Sequence, residues 1–444
     1  MSLILGLHTG HEASAVLFED DRLLAAVSNE RLSRVKNDGG GLSDLAIDEV
    51  LRLAGRSRAQ IERLALLYTF FPEEYFVREN WLKETERRLH RARRRRADGE
   101  RPQMLISNFI ERLHARGRSF DDHFLADKFL RGEGYSGAKT AFFDHHESHA
   151  LAAAYYSGYA DCAVITMDGN GDWNISHTSG VWRDGRYTRH HLTDAFGASA
   201  GVFYGHITEL LGFRVMRHEG KVVGLAALGD AKPLQAAFAR AFRLSADGKH
   251  FDSEFAGQPQ AEGRRYAFLK EAIQGHSREN VAAAAQQVLE EVSVQLVRNY
   301  LAETGLRRVA LNGGVFANVK LNQRIAALPE VDSLFVFPAM SDTGNSVGAA
   351  LLDLSQRQPE RMRGTRALHD VYWGPAYGEA DILAALRAAG LEGEKLEETA
   401  LVERAARAMH EGRVVGWFQG RMEFGPRALG NRSMLARPTE SAIN

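Results

Sequence analysis

One pattern occurs twice in the chain and narrows its fold more than any other: a short apolar strand that runs into a polar, glycine-bearing loop and then into another apolar strand. The first copy reads Leu3-Ile-Leu-Gly-Leu7, Thr9-Gly-His-Glu-Ala-Ser14 and Ala15-Val-Leu-Phe18, then the acidic turn Asp20-Asp21 and Leu23-Leu-Ala-Ala-Val27, which predicts a three-stranded meander. The second begins at Ala163-Val-Ile-Thr-Met167, enters Asp168-Gly-Asn-Gly-Asp172 and resumes near Gly180-Val-Trp182. A helix is expected over 281–301, because Val281, Val288, Val292 and Leu296 share one face and Gly305 is placed as its C-cap. Arg308-Val-Ala-Leu311 and Leu334-Phe-Val-Phe337 read as buried strands, each followed by a polar glycine loop. The expectation is an α/β protein with a duplicated core and its ligands gathered at strand ends.

At 444 residues the chain has room for two or three domains. The charged stretch around Pro359 and Gly364 predicts a linker over 355–370, and a smaller unit begins near Val371 with helices expected at 379–389 and 402–411 and a strand at 414–418. The segment 72–127 reads as a helical insertion whose arginine run, Arg87 to Arg96, is a solvated face or, as the second reading, a patch that binds phosphate or a partner. With 56 basic against 57 acidic residues, no overall field favours nucleic acid. A single cysteine excludes a disulfide framework and fits the cytoplasm, and no apolar run approaches the roughly 18 residues that span a bilayer.

The sharpest chemical cluster is Asp144-His-His-Glu-Ser-His-Ala150. On a helix, His145 and His149 project from the same face and can share a cation, although hydrogen-bonded histidines at a helix start would give the same spacing. Asp342, in the Ser-Asp-Thr-Gly loop, is a distant oxygen ligand that would complete a site for one divalent metal, Fe(II), Mn or Zn. The loops Asp168-Gly169-Asn170-Gly171 and Asn312-Gly313-Gly314 offer backbone N–H groups that can cradle phosphate or ribose, or are tight turns. Arg421, Arg427 and Arg432 stand among glycines as planar forks suited to an anion, with apolar Phe424, Pro426 and Leu429 between them.

Seven segments together resemble the NodU/CmcH-type O-carbamoyltransferases: Gly10-His-Glu-Ala-Ser-Ala15, Glu30-Arg-Leu-Ser-Arg-Val-Lys36, Asp144 to Ala150, Asp168 to Gly171, Glu219-Gly-Lys-Val-Val-Gly-Leu-Ala226, Asn312 to Asn318, and Gly420 to Ser433. The resemblance implies a carbamoyl-transfer domain of the actin/Hsp70 class over 1–354, a linker over 355–370, and a YrdC-like carbamoyl-activation unit over 371–444. It implies ATP and carbamoyl phosphate as co-substrates that yield carbamoyl adenylate, and a small hydroxylated metabolite or natural product as acceptor. By motif position His145, His149 and Asp342 are the metal ligands, and His11 and Lys36 are catalytic. The nucleotide falls to Asp168, Gly169, Asn170, Gly171, Asn312, Gly313, Gly314, Asn318 and Lys221, and carbamoyl phosphate to Arg421, Arg427, Arg432 and Ser433. Family members continue past the position of Asn444, so the YrdC-like unit is expected to be incomplete. Two further readings are a tRNA threonylcarbamoyl transferase, against which the neutral charge argues, and a nucleotide-binding pseudoenzyme.

Overall fold

A computed structural model describes residues 2–77, 103–106, 110, 113, 119–195, 197–364 and 366–439, and in it the repeated pattern becomes two five-stranded mixed sheets. The first holds β1 (Leu3–His8), β2 (Ser14–Glu19), β3 (Arg22–Ser28), β4 (Arg63–Leu67) and β5 (Lys139–Phe143), in the order β3-β2-β1-β4-β5. The second holds β6 (Asp161–Met167), β7 (Ile175–Arg183), β8 (Arg186–Asp194), β9 (Arg308–Asn312) and β10 (Ser333–Val336), in the order β8-β7-β6-β9-β10. In both, the three meander strands are antiparallel and the two later strands add parallel to the first. The expected duplication is present in strand order and sense.

Side-chain alternation assigns each strand to two cores. In β1, Leu3, Leu5 and Leu7 pack on an outer core of the first half, while Ile4 faces inward to a layer between the sheets. In β6, Ala163, Ile165 and Met167 join the outer core of the second half, and Cys162 and Val164 face the same middle layer. Burial on both faces is why these strands read as largely apolar runs. The middle layer is filled by two helices, α1 (His145–Tyr156) and α4 (Asn345–Arg357), with α2 (Ala200–Leu210) and α3 (Arg278–Thr304) covering the second sheet. Helix α3 extends beyond the expected span at both ends and stops where Gly305 takes a left-handed φ of 68°. Glycine permits α4 to approach: a Cβ on Gly6 of β1 would lie 2.2 Å from the Ser346 carbonyl oxygen.

Helices at Glu379–Ala388 and Glu398–His410 and a ladder pairing Val415–Phe418 with Arg432–Leu435 follow the expected pattern, and neither helix buries a residue. The segment expected to link the units is pinned to the first half. Helix α4 runs on to Arg357, Met362 is buried in the middle layer, and Arg361 and Arg366 pair with Asp21. At the two ends of 72–127, the described residues include a short ladder of Phe70–Pro72 with Gln103–Leu105 and a helix at Ala126–Gly132; Arg87 to Arg96 lie outside the described residues. No described helix is long and apolar enough to cross a membrane.

The second core contains a buried histidine with a measurable consequence. His177 is fully buried on β7, with Nδ1 3.1 Å from Thr193 Oγ1 and Nε2 2.7 Å from Ser179 Oγ. Burial pulls its pKa down from 6.5 to about 3. The unfolded chain therefore takes up a proton below 6.5 that the folded chain refuses until about 3, and the stability contributed by neutral His177 is complete above 6.5 and lost as the pH falls through that window. Urea unfolding at pH 7 and pH 5 should show wild type losing about 2 kcal/mol more than His177→Gln, which keeps polar partners without the proton. Equal losses in the two proteins would sink this account.

Candidate functional site

Five strands deliver their carboxyl ends to one place: β1 leads into His8 and His11, β5 into His145, β6 into Asp168, β9 into Asn312 and β10 into the loop of Asp342. Asp144 starts α1 by accepting a hydrogen bond from the Glu147 backbone N–H (2.8 Å), and Asp172 accepts one from the His145 N–H (2.9 Å). The first helical turn is thereby fixed, and the His145 and His149 rings face the same side with centroids 4.7 Å apart. His146 points away, its ring between Thr166 Oγ1 (2.7 Å) and the Ile175 carbonyl (2.8 Å), and serves the fold.

Asp342 Oδ1 lies 3.4 Å from Nε2 of both His145 and His149, and Asp168 Oδ2 lies 3.5 Å and 3.2 Å from the same two nitrogens. One ligand atom from each of the four residues falls within 4.8 Å of all the others. The other oxygen of Asp342, Oδ2, faces His11 Nε2 at 3.2 Å and His8 Nε2 at 3.8 Å. Asn345 closes the far side, its amide nitrogen 3.1 Å from His149 Nε2 and 3.3 Å from His145 Nδ1. His145, His149 and Asp342 are buried, and His11 is about half exposed at the mouth.

The electrostatics are those of a charged cluster cut off from water. Burial lowers His145, but Asp342 and Asp168 outweigh it and lift its pKa to about 10. Burial raises Asp342, but His145 and His11 outweigh it and hold it at about 2, and the two imidazoles likewise keep Asp168 well below the usual carboxylate range despite its burial. Burial, only partly opposed by His145, lifts Asp172 to about 8. Two carboxylates with two neutral imidazoles carry a charge of −2, which a divalent cation cancels. Ligands about 2.1 Å from one ion stand roughly 3.0–3.4 Å apart, and the 3.2–3.5 Å between each imidazole and each carboxylate is of that size.

The remaining expected residues divide. The two glycine loops do meet: a Cβ on Gly314 would lie 3.2 Å from Asp168 Oδ1, and Gly313 holds φ 105° where a Cβ would strike the Met167 carbonyl at 2.2 Å. Gly169 and Asp168 are pinned from below by Ser199 Oγ, which donates to their carbonyls at 2.6 and 3.1 Å, and Gly171 lies against the His145 ring. Asn170 stays exposed beside them, with its amide 3.3 Å from Asn174 Oδ1. Asn312 is buried and donates to the His149 carbonyl (2.7 Å), which ties α1 to this loop. Asn318 caps the next helix by accepting from the Leu321 N–H (3.1 Å) and exchanges hydrogen bonds with Gln286. Lys36 pairs with buried Glu30 at 3.0 Å, whereas Lys221 is exposed, 5.8 Å from the Phe213 ring.

The three arginines do not converge on a common point. Arg421 donates to the Trp373 (2.8 Å) and Gly374 (3.1 Å) carbonyls, and Arg432 stacks 3.5 Å over Phe418 and donates to the Gly420 and Asn431 carbonyls, beside Ser433 of the ladder. Arg427 turns the other way and donates to the Ala317 carbonyl (2.9 Å). Their loop is organised by Glu423, which sequence reasoning missed: its buried carboxylate accepts from the backbone N–H groups of Leu429, Asn431 and Arg432 at 2.7–3.0 Å. Asp168 as a member of the histidine cluster was also missed; its signal is its place as the first residue after β6.

A family model described as "Carbamoyltransferase N-terminus" matches residues 3–351, and "Carbamoyltransferase C-terminus" matches 406–444. The nodulation protein NolNO of Sinorhizobium fredii (strain NBRC 101917 / NGR234) is 30% identical over 96% of this chain and 58% of its own length. NolO of Bradyrhizobium diazoefficiens is 35% identical over 66% of this chain and 53% of its own, and the 3'-hydroxymethylcephem-O-carbamoyltransferase of Streptomyces clavuligerus is 29% identical over 50% and 40%. The chain thus spans about half the length of these curated relatives. Among solved structures, T. kodakarensis HypF aligns with 81% of this chain and 48% of its own at 12% identity and a TM-score of 0.46, too remote to carry an argument. On the strength of the sequence matches, the chain belongs to the NodU/CmcH-type carbamoyltransferase family.

Proposed function

We propose that this chain moves a carbamoyl group to a hydroxyl of a small acceptor, using carbamoyl adenylate made from ATP and carbamoyl phosphate. The observation that carries the reading is the set of buried His145, His149 and Asp342 with half-buried Asp168, whose ligand atoms come from three separate segments to within 4.8 Å of one another. The relative from Streptomyces clavuligerus, named for carbamoylating an oxygen of hydroxymethylcephem, supports the choice of a hydroxyl. The duplicated sheets are read as an actin/Hsp70-like frame, with the nucleotide lying over the Asp168–Gly171 and Asn312–Gly314 loops.

One divalent ion, Fe(II), Mn or Zn, held by the four residues would polarise the carbamoyl carbonyl as a Lewis acid. The chain's own groups do the rest. Asp342 is shared, one oxygen toward the imidazoles and the other 3.2 Å from His11 Nε2, and in this reading His11 keeps Nε2 turned to Oδ2 and uses Nδ1 to accept the acceptor's hydroxyl proton. About 48% of the His11 side chain is exposed, so a dissolved acceptor reaches it. Lys36, paired with Glu30, is read as the group that holds the phosphate, and the new O–C bond forms as AMP leaves. The segment 371–444 is read as the YrdC-like activation part, with Arg421, Arg432 and Ser433 on the carbamoyl phosphate side.

The test is to incubate the chain, reconstituted in turn with Fe(II), Mn and Zn, with ATP, radiolabelled carbamoyl phosphate and a panel of hydroxylated small molecules and tRNA, and in a parallel arm with carbamoyl adenylate supplied. Metal-dependent label on a small acceptor is expected in the supplied arm. Label confined to tRNA would move the reading to threonylcarbamoyl-type transfer, and no label in either arm with nucleotide bound would overturn catalysis.

A further inference from the structure

We propose that Arg427 is a positioning residue of the transfer site: its guanidinium, tied to the Ala317 carbonyl, makes the loop from Gly420 to Arg432 a brace on the strand-end loops that carry the metal-binding set. The inference rests on the proposed function for what that set does, while the tie itself is independent of it.

The segment from Asn312 to Ala317 supports three of the four clustered residues. Asn312 donates to the His149 carbonyl at 2.7 Å, Gly314 lies against the Asp168 carboxylate, and the Gly313 N–H donates 2.9 Å to the Met340 carbonyl, two residues before Asp342. A small movement of this segment therefore displaces ligands on α1, on β6 and after β10 together. What stands on its outer side is the C-terminal loop. Arg427 donates to the Ala317 carbonyl at 2.9 Å. Gly425, at φ 135°, passes so close to the loop after β10 that a Cβ would lie 2.8 Å from the Pro338 carbonyl oxygen.

The brace is anchored in the other half as well. The Gly425 carbonyl accepts a hydrogen bond from Arg31 at 2.8 Å, and Met422 and Phe424 are buried in the outer core of the first half and the middle layer. The loop therefore has one foot in each half and lies across the ends of the strands. A solvated loop would leave Phe424 in water, whereas it is buried in the middle layer. The loop is a rigid strut, with Arg427 its contact on the ligand-bearing side.

The experiment uses the full chain as wild type, Arg427→Ala and Arg427→Lys, with Mn²⁺ alone as probe. Hydrogen exchange is expected to speed about tenfold at the amides of 313–318 in Arg427→Ala while amides of β6 and α3 are unchanged, and Arg427→Lys, which can still donate to the Ala317 carbonyl, restores most of the protection. Mn²⁺ binding is expected to weaken about tenfold in the Ala variant, with a broadened electron paramagnetic resonance signal, and to recover in the Lys variant. Unchanged exchange at 313–318 overturns the tie, and faster exchange with unaltered Mn²⁺ affinity overturns the positioning role. A wild type that holds no Mn²⁺ overturns the positioning role together with the metal reading behind the proposed function, whereas the exchange result decides the tie in that case too.

Discussion

On the proposed function, His149→Ala is expected to abolish retention of a divalent metal and end carbamoyl transfer, with a loss of about a thousandfold or more, while the chain stays folded. His149 is fully buried, its Nε2 stands 3.2 Å from Asp168 and 3.4 Å from Asp342, and His146 on the same helix cannot replace it as a nitrogen ligand, because its ring is held by Thr166 and the Ile175 carbonyl. The remaining set would place two carboxylates around one imidazole, and loss of one of four ligands removes far more affinity than the tenfold to hundredfold typical of an outer partner. Removing the ring costs about 2 kcal/mol of packing, too little to unfold a chain with three buried cores. Metal content by mass spectrometry, circular dichroism and transfer from supplied carbamoyl adenylate check the three parts. A variant that keeps its metal and full activity would refute the assignment. A linked effect has a fixed sign: without metal, His145 keeps its proton up to about 10, so metal entry at neutral pH must expel it. Affinity should rise with pH between 6 and 8, and a titration in two buffers of different ionisation heat should report proton release of about one per metal.

What the sequence could reveal about this centre, and what it could not, follows from how each residue reaches it. The strands were legible because both faces are buried: Leu3 to Leu7 is apolar throughout, Ala163 to Met167 is broken only by Thr166, and polar loops mark where they stop. His145 and His149 were legible because four residues is one helical turn, a local fact. Asp342 was legible only as a candidate, an acid in a Ser-Asp-Thr-Gly loop after a strand that the resemblance also pointed to, since nearly two hundred residues separate it from the histidines it faces and no periodicity links them. Asp168 was read as part of a phosphate cradle, because the glycines after it dominate the local pattern; that its carboxylate turns to α1 depends on Ser199 and Gly201 gripping the loop from beneath, a tertiary circumstance. Asn318 looks like a ligand-loop residue and spends its side chain on a helix cap, a role its place three residues before Leu321 already allowed. Glu423 was invisible for a different reason: a carboxylate that organises three backbone amides of its own loop has no sequence signature apart from the loop's final shape.

The geometry of the centre depends on how closely α1 and α4 pack, and one glycine sets that distance. A Cβ on Gly348 would lie 1.9 Å from the Ser148 carbonyl oxygen and 2.6 Å from its Cα, both backbone atoms that cannot rotate aside. Gly348→Ala therefore forces the helices apart by more than an ångström in the middle layer, where Ala150, Leu151, Val347 and Leu351 are buried. Alanine's helix propensity offsets about 1 kcal/mol, so the net destabilisation is expected near 3 kcal/mol, at the upper end of overpacking. The same displacement reaches the ligands, since His145 and His149 ride on α1 and Asp342 precedes α4. Metal affinity should fall together with stability, by a factor of about ten to a hundred. Gly263→Ala is the comparison, because that glycine lies on an exposed helical turn with open space around it and should gain slightly in stability with metal binding unaltered. Urea midpoints and Mn²⁺ titrations of both variants decide the matter: Gly348→Ala with native stability would show that the helices have room to spare, and lost stability with intact metal affinity would show that the centre does not depend on their spacing.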